Sequence, residues 1–163
     1  MIKAGDVYVL DYDQMFTAPE MIKIRPVVIV SPQTKDRSSG LAIVVPLSTT
    51  EPTRGMPKYV VPLANTYDWA HGKKIYAKCD MLNTISTMRL EHIRAYQKQM
   101  ARGQNYVPVP HVTAEDLKAI RMGVAFAVDA DKFISSELKR EYANYLKRAR
   151  DKLNAMMLRK RSY

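Results

Sequence analysis

Pro26-Val-Val-Ile-Val30, followed after the polar turn Lys35-Asp-Arg-Ser-Ser-Gly40 by Leu41-Ala-Ile-Val-Val-Pro-Leu47, decides the fold class. Both runs are short, continuous and β-branched, the pattern of strands buried on both faces. Pro46, late in the second run, predicts an edge or a strand end, because proline has no N–H to give to a ladder. Working outward, Val7-Tyr-Val-Leu10 follows the turn signal Gly5-Asp6, and Tyr59-Val-Val-Pro-Leu63 is a fourth candidate. Ile75 to Leu82 is a fifth, entered from Gly72-Lys-Lys74. Five short strands before any convincing helix predict a small antiparallel barrel or rolled sheet. From Asn83 to Val112 the pattern weakens. One helical turn fits Ser86–Leu90, a short strand fits Ile93–Tyr96, and Pro108 and Pro110 mark a loop.

Helices close the chain. Thr113 has the chemistry of an N-cap, and Glu115 and Asp116 follow where the helix dipole favours acids. Leu117, Ile120, Val124 and Val128 then share one face. A second helix is expected from about 131 to about 157, with an apolar stripe of Leu138, Tyr142, Tyr145, Ala149, Leu153 and Met156. The expected class is mainly β with C-terminal helices (α+β). Residues 1–130 form the barrel and its helix, and residues 131–163 a basic helical extension.

The chain has 163 residues, 47% of them hydrophobic, enough for one domain with a buried core. Its formal charge is +10, which points to a polyanionic partner, nucleic acid first. The charge is unevenly placed: residues 131–163 hold ten Lys/Arg against four acids, so +6 lies in the tail and +4 in the body. The single cysteine excludes a disulfide framework and a cysteine-rich zinc cluster. No apolar run approaches the roughly 18 residues of a membrane span. Asp6 and Asp11 stand where a signal peptide would be apolar. A cytoplasmic protein with no membrane partner is expected.

Three local features carry chemistry. Arg25, held extended by the following proline, stands at the mouth of a strand, where a guanidinium can grip a phosphate with two N–H groups. Ser48, Thr49 and Thr50 put three hydroxyls at a strand exit. In a strand, Lys78 and Asp80 would share one face, about 7 Å apart. Each feature alone also fits an ordinary surface. Together they fit metal-free RNA cleavage, in which the 2′-hydroxyl attacks the phosphorus. Asp80 is the candidate base, Lys78 the acid, and Arg25 and Ser48 the donors for the phosphorane oxygens. His71, His92 and His111 lack zinc-ligand spacing, and no Walker A or Gly-x-Gly-x-x-Gly loop occurs. No metal or cofactor is expected, and Cys79 reads as a small core residue.

The ordered set Gly5-Asp6-Val7, Ile24-Arg-Pro-Val-Val-Ile-Val-Ser31, Ile43-Val-Val-Pro-Leu-Ser48 and Cys79-Asp80-x-x-x-Thr84-Ile85-x-x-x-Arg89-Leu90 resembles the PemK/MazF family of toxins, over about residues 3 to 128. The resemblance implies an SH3-like barrel with a packed C-terminal helix, working as a homodimer. It implies a metal-independent endoribonuclease that cuts single-stranded RNA, leaves a 2′,3′-cyclic phosphate, and is inhibited by an acidic cognate antitoxin. Residue by residue, Arg25 matches the arginine before proline, and Ser48 a threonine, with Thr49 adjacent. Asp80 matches a carboxylate proposed as base, Lys78 an arginine, and Glu20 an acidic position in the first loop. Thr84 belongs to the same motif and is placed with Glu20 and Thr49 as RNA-binding. Lys139, Arg140, Lys147 and Arg148 of the tail are candidate phosphate contacts. The chain departs from the family at Ala18-Pro19-Glu20, which lacks a histidine, and at Asp80-Met-Leu-Asn-Thr84, which lacks a glutamine and an arginine. The competing expectation is a non-cleaving module on the same fold that binds nucleic acid or a protein.

Overall fold

A computed structural model describes residues 2–12, 17, 20, 22–32, 39–52, 55–93 and 109–161. Six strands are present: β1 (Val7–Leu10), β2 (Arg25–Ile29), β3 (Leu41–Ser48), β4 (Val60–Pro62), β5 (Tyr76–Lys78) and β6 (Asn83–Ser86). Among the described residues two α-helices follow, α1 (Ala114–Ala127) and α2 (Ser136–Arg161). All strand pairs are antiparallel, in the order β1-β2-β3-β5-β4, with β6 also on β3. The expectation of a mainly β protein with C-terminal helices holds. The strands do not close into a barrel, because β1 and β4 are the two ends of the path. The chain after β6 instead returns to β1, where Val9 and Glu91 exchange both backbone bonds at 2.7 and 2.9 Å.

The β-branched runs are buried on both faces for a geometric reason. Alternate residues of a strand face opposite sides. Val28 and Val45 turn to the core shared with the helices, and Val27, Ile29 and Val44 to a second cluster with Tyr8, Leu10, Tyr12, Ala42 and Ile85. The rolled sheet supplies most of that second cluster, and Ile2, Leu90 and Val109 pack against it.

Two expectations change at β3. Pro46 is interior to the strand rather than at its end. Ile43 bonds toward β2, since Val30 N donates to its oxygen at 2.9 Å and its own N–H donates to Ser31 Oγ. By alternation the Pro46 nitrogen faces the other edge. There the ladder is interrupted: β3 takes three steps from Val44 to Leu47, while the opposing chain takes six, from Asn83 back to Ala77. The extra residues form a 3-10 turn, Cys79–Met81. So the expected strand Ile75–Leu82 is two strands with an excursion between them, and proline sits opposite the gap at no cost in hydrogen bonds. Strand β6, within the segment that reads weakly in the sequence, resumes the pairing at Asn83. A 3-10 turn at Thr87–Arg89 matches the expected helical turn. The expected strand at 93–96 lies almost wholly outside the described residues, as do 35–38, 18–19 and 108.

Helix α1 begins as expected: the Thr113 side chain accepts from Asp116 N at 3.2 Å. Its buried face is Asp116, Ala119, Ile120 and Gly123. Val128 falls after the helix and is 57% exposed. Gly123 permits the closest approach to the sheet, because a Cβ there would stand 2.6 Å from Val61 Cγ2 and 2.7 Å from Cys79 Sγ. Cys79 is fully buried, and burial pushes its thiol well up, as befits an unreactive core residue. Helix α2 buries Tyr142, Tyr145, Leu146 and Ala149 in the same core as β1–β5, while Leu138 is 38% exposed. Lys118–Glu141 and Arg148–Glu115, each at 2.7 Å, tie α2 to α1. No helix among the described residues is long and apolar enough to cross a membrane.

The tyrosines give the fold a measurable pH signature. Burial, first among the causes, raises the hydroxyls of Tyr12, Tyr67, Tyr76, Tyr142 and Tyr145 above 10.0, those of Tyr12 and Tyr76 to about 12. A folded pKa above the unfolded one gives stability that is complete below about pH 10 and is lost as pH rises through about 12. Denaturation midpoints are expected to drop steeply across that window, with tyrosine ionisation coinciding with unfolding. Free titration of these tyrosines near pH 10 in a protein that stays folded would contradict this.

Candidate active site

The ends of β1, β2 and β3 meet the 68–75 segment around a cleft of about 240 Å³. Arg25, first residue of β2, lines it with Ser48 and Thr49 from the exit of β3. The opposite wall is Trp69, Ala70, His71, Lys73 and Ile75, and Val9, Pro26 and Leu47 supply apolar lining. Of the sequence-derived candidates, the cleft thus gathers Arg25, Ser48 and Thr49.

The polar groups of this cleft are short of partners. Arg25 Nε and Trp69 Nε1 are both buried donors with no acceptor among the described residues. An unmet buried donor costs about 1–3 kcal/mol, so both call for an acceptor beyond the described residues. Among the described residues, Arg25, His71 and Lys73 have no ion-pair partner and no Asp or Glu lines the cleft. Ser48 is 7% exposed, and its Oγ accepts from Thr50 N at 3.1 Å. Its hydroxyl proton stays available to an acceptor in the cleft. The arrangement presents cations and donors to an anion.

The wall that carries Trp69 and His71 is fixed from behind. Asp116 is fully buried on α1 and accepts from Ala64 N at 3.1 Å and Asn65 Nδ2 at 3.0 Å. It also accepts from the hydroxyls of Tyr67 and Tyr145. Tyr67 stacks on Trp69, ring centroids 5.4 Å apart. The 3-10 turn Asp68–Ala70 ends at His71, whose left-handed backbone (φ 53, ψ 39) donates to Asp68 O at 3.0 Å and is followed by Gly72 at φ 66. Both C-terminal helices therefore position one wall of the cleft.

The other candidates lie elsewhere. Lys78 ends β5, and Asp80 is exposed on the 3-10 turn, so the shared strand face expected for them does not form. They still interact: burial lowers the Lys78 ammonium and the Asp80 charge opposes that shift. Neither lines the cleft. Glu20 is exposed and accepts from Thr17 N at 2.8 Å. Thr84 is exposed on β6, opposite Ile43. Lys139 pairs with Asp131 at 3.6 Å and Arg148 with Glu115, whereas Arg140 and Lys147 are exposed on α2. Among the described residues no group of His, Cys, Asp or Glu could hold a metal. Sequence reasoning missed Trp69, His71 and Lys73. The aromatic beside an Asp-Trp-Ala-His-Gly-Lys turn was the available signal.

A family model described as PemK-like, MazF-like toxin of type II toxin–antitoxin system matches residues 3–125. No curated protein matches the chain. Among solved structures, an endoribonuclease in complex with its cognate antitoxin from Mycobacterial species is 19% identical, covers 79% of this chain and 96% of its own, and superposes with a TM-score of 0.53. MazF from Deinococcus radiodurans is 16% identical, with coverage of 78% and 96% and a TM-score of 0.53. At these identities the likeness is one of fold.

Proposed function

The chain belongs to the PemK-like, MazF-like toxin family of type II toxin–antitoxin systems, and on that premise we propose that it is a metal-independent endoribonuclease acting on single-stranded RNA. One observation carries this reading: Arg25 and Trp69, whose buried donors have no acceptor among the described residues, converge with Ser48, Thr49, His71 and Lys73 on one cleft lined by no acid among those residues. A phosphodiester in the cleft offers acceptors to the Arg25 and Ser48 donors and a charge to Lys73. Arg25 and the Ser48 hydroxyl donate to the non-bridging oxygens, and their bonds strengthen as charge builds in the phosphorane. The Trp69 indole and the apolar lining suit an unstacked base, which only single-stranded RNA offers. The 2′-hydroxyl attacks, the P–O5′ bond breaks, and a 2′,3′-cyclic phosphate and a 5′-hydroxyl result.

Residues 1–130 carry this chemistry in our reading, and 131–163 are a basic extension. Arg140, Lys147 and Lys152 there are exposed and add attraction for RNA without taking part in the reaction. An acidic antitoxin segment fits the same uncompensated cleft as RNA does, and a homodimer is the proposed assembly. Lys78 and Asp80 stand as candidates that reach RNA outside the cleft.

The experiment is incubation of purified protein with a long unstructured RNA in EDTA. Cleavage with cyclic-phosphate and 5′-hydroxyl ends is expected. RNA that is bound with strong salt dependence but left intact would favour the second reading, a non-cleaving module, which the lack of a carboxylate among the described residues of the cleft supports.

A further inference from the structure

Removing a proton from a 2′-hydroxyl requires a base, and the described residues that line the cleft include no Asp or Glu. Resting on the reading of this cleft as an RNA-cleaving site, we propose that His71 is the catalytic base. Of the groups that line the cleft with it, the Arg25 guanidinium stays protonated, the Lys73 ammonium has no lone pair, and the hydroxyls are weak bases. An imidazole is the side chain that accepts a proton near neutral pH.

The three histidines are not equivalent. His111 Nδ1 lies 3.1 Å from Asp6 Oδ1, and the His92 ring packs on Tyr8 with centroids 5.4 Å apart. The His71 ring has no hydrogen bond or ion pair among the described residues and stands in the cleft wall. Its backbone is left-handed, which a residue with a Cβ seldom adopts, and such positions concentrate at functional sites. The conformation is held by the His71 N–H to Asp68 O bond and by Lys73 N to Ala70 O, both 3.0 Å. The segment leading into it is fastened to α1 and α2 through Asp116. The ring is thus carried on a fixed turn.

The step balances as follows. A ring nitrogen of His71 takes the 2′-hydroxyl proton as the O2′–P bond forms. The P–O5′ bond breaks, and the departing O5′ takes a proton from the Lys73 ammonium, the other proton donor on the same turn. Solvent then returns the His71 proton to Lys73. Among the described residues, the charged groups that line the cleft with His71 are Arg25, from β2, and Lys73, from its own turn.

His71→Asn tests this, because asparagine tolerates the left-handed backbone but cannot exchange a proton. Single-turnover cleavage of RNA in EDTA is measured from acid to alkaline pH, with RNA binding in parallel. We expect a loss of about 10²–10⁴-fold in rate, binding within a few-fold of the unmodified chain, disappearance of the acid-side limb of the pH profile, and partial rescue by added imidazole. A His71→Asn protein that cleaves at the original rate with the original pH profile overturns the assignment and leaves the endonuclease reading standing. Loss of binding in step with loss of cleavage also overturns it, by making His71 a binding residue. An unmodified protein that never cleaves RNA removes the reading itself, and His71 as base with it.

Discussion

Arg25→Ala is expected to slow RNA cleavage by about 10²–10³-fold, the usual cost of removing one donor to a developing oxyanion, without destabilising the protein. The second half of that statement follows from the structure. The Arg25 Nε atom is buried with no acceptor, and its side chain has no ion pair among the described residues. Truncation removes an unmet donor and one of the two cations, Arg25 and Lys73, in a cleft lined by no acid among the described residues, so the melting temperature should stay level or rise. Arg25→Lys keeps the charge and loses the planar fork, and should fall between the two in rate. Thermal unfolding and single-turnover kinetics on the same samples check both halves. A large drop in melting temperature would mean that Arg25 is structural and that its loss of activity says nothing about phosphate.

Asp116→Ala is expected to destabilise the protein by about 1–3 kcal/mol for each buried donor left without an acceptor. The carboxylate is fully buried and collects four donors: Ala64 N, Asn65 Nδ2 and the hydroxyls of Tyr67 and Tyr145. Alanine leaves at least part of that set without acceptors and opens a small void between α1, α2 and the 63–67 segment. Urea denaturation checks the magnitude. Tyr145→Phe removes one donor together with its second bond, to Pro62 O at 3.3 Å, and should cost about 1–2 kcal/mol. Because Tyr67 stacks on Trp69, both variants should also weaken RNA binding when assayed while still folded. An Asp116→Ala protein with unchanged stability would show that the network does not hold the cleft wall.

Much of the sheet is legible in the residues. Pro26–Val30 and Leu41–Leu47 announce themselves because β-branched side chains on both faces need a strand covered on both sides. Thr113 announces α1 because its hydroxyl can meet a free N–H of the first turn. The break after Lys78 is not legible. Ile75 to Leu82 alternates like any strand, and the 3-10 excursion follows from how β3 divides its edge between β5 and β6. The same break separates Lys78 and Asp80 from the strand geometry that suggested them.

The cleft was half legible. Arg25 and Ser48 come from neighbouring strands, so an ordered motif captures them. His71 and Lys73 reach the same place through a turn that Asp116, more than forty residues later, fastens down. Such a turn reads in the sequence as polar surface. The net charge behaves similarly. Of the +10, the cations that line the cleft are few, and Lys139 and Arg148 of the tail are engaged with Asp131 and Glu115.

The most direct test of metal-free cleavage through the substrate's own hydroxyl is a matched pair of short RNAs in EDTA. One is all-ribose, and the other carries a single 2′-deoxynucleotide on the 5′ side of the cleaved bond. The account predicts that the protein binds both, cuts the first to a cyclic phosphate, and leaves the second intact at that bond. Cleavage of the deoxy-substituted strand at the same position would contradict it.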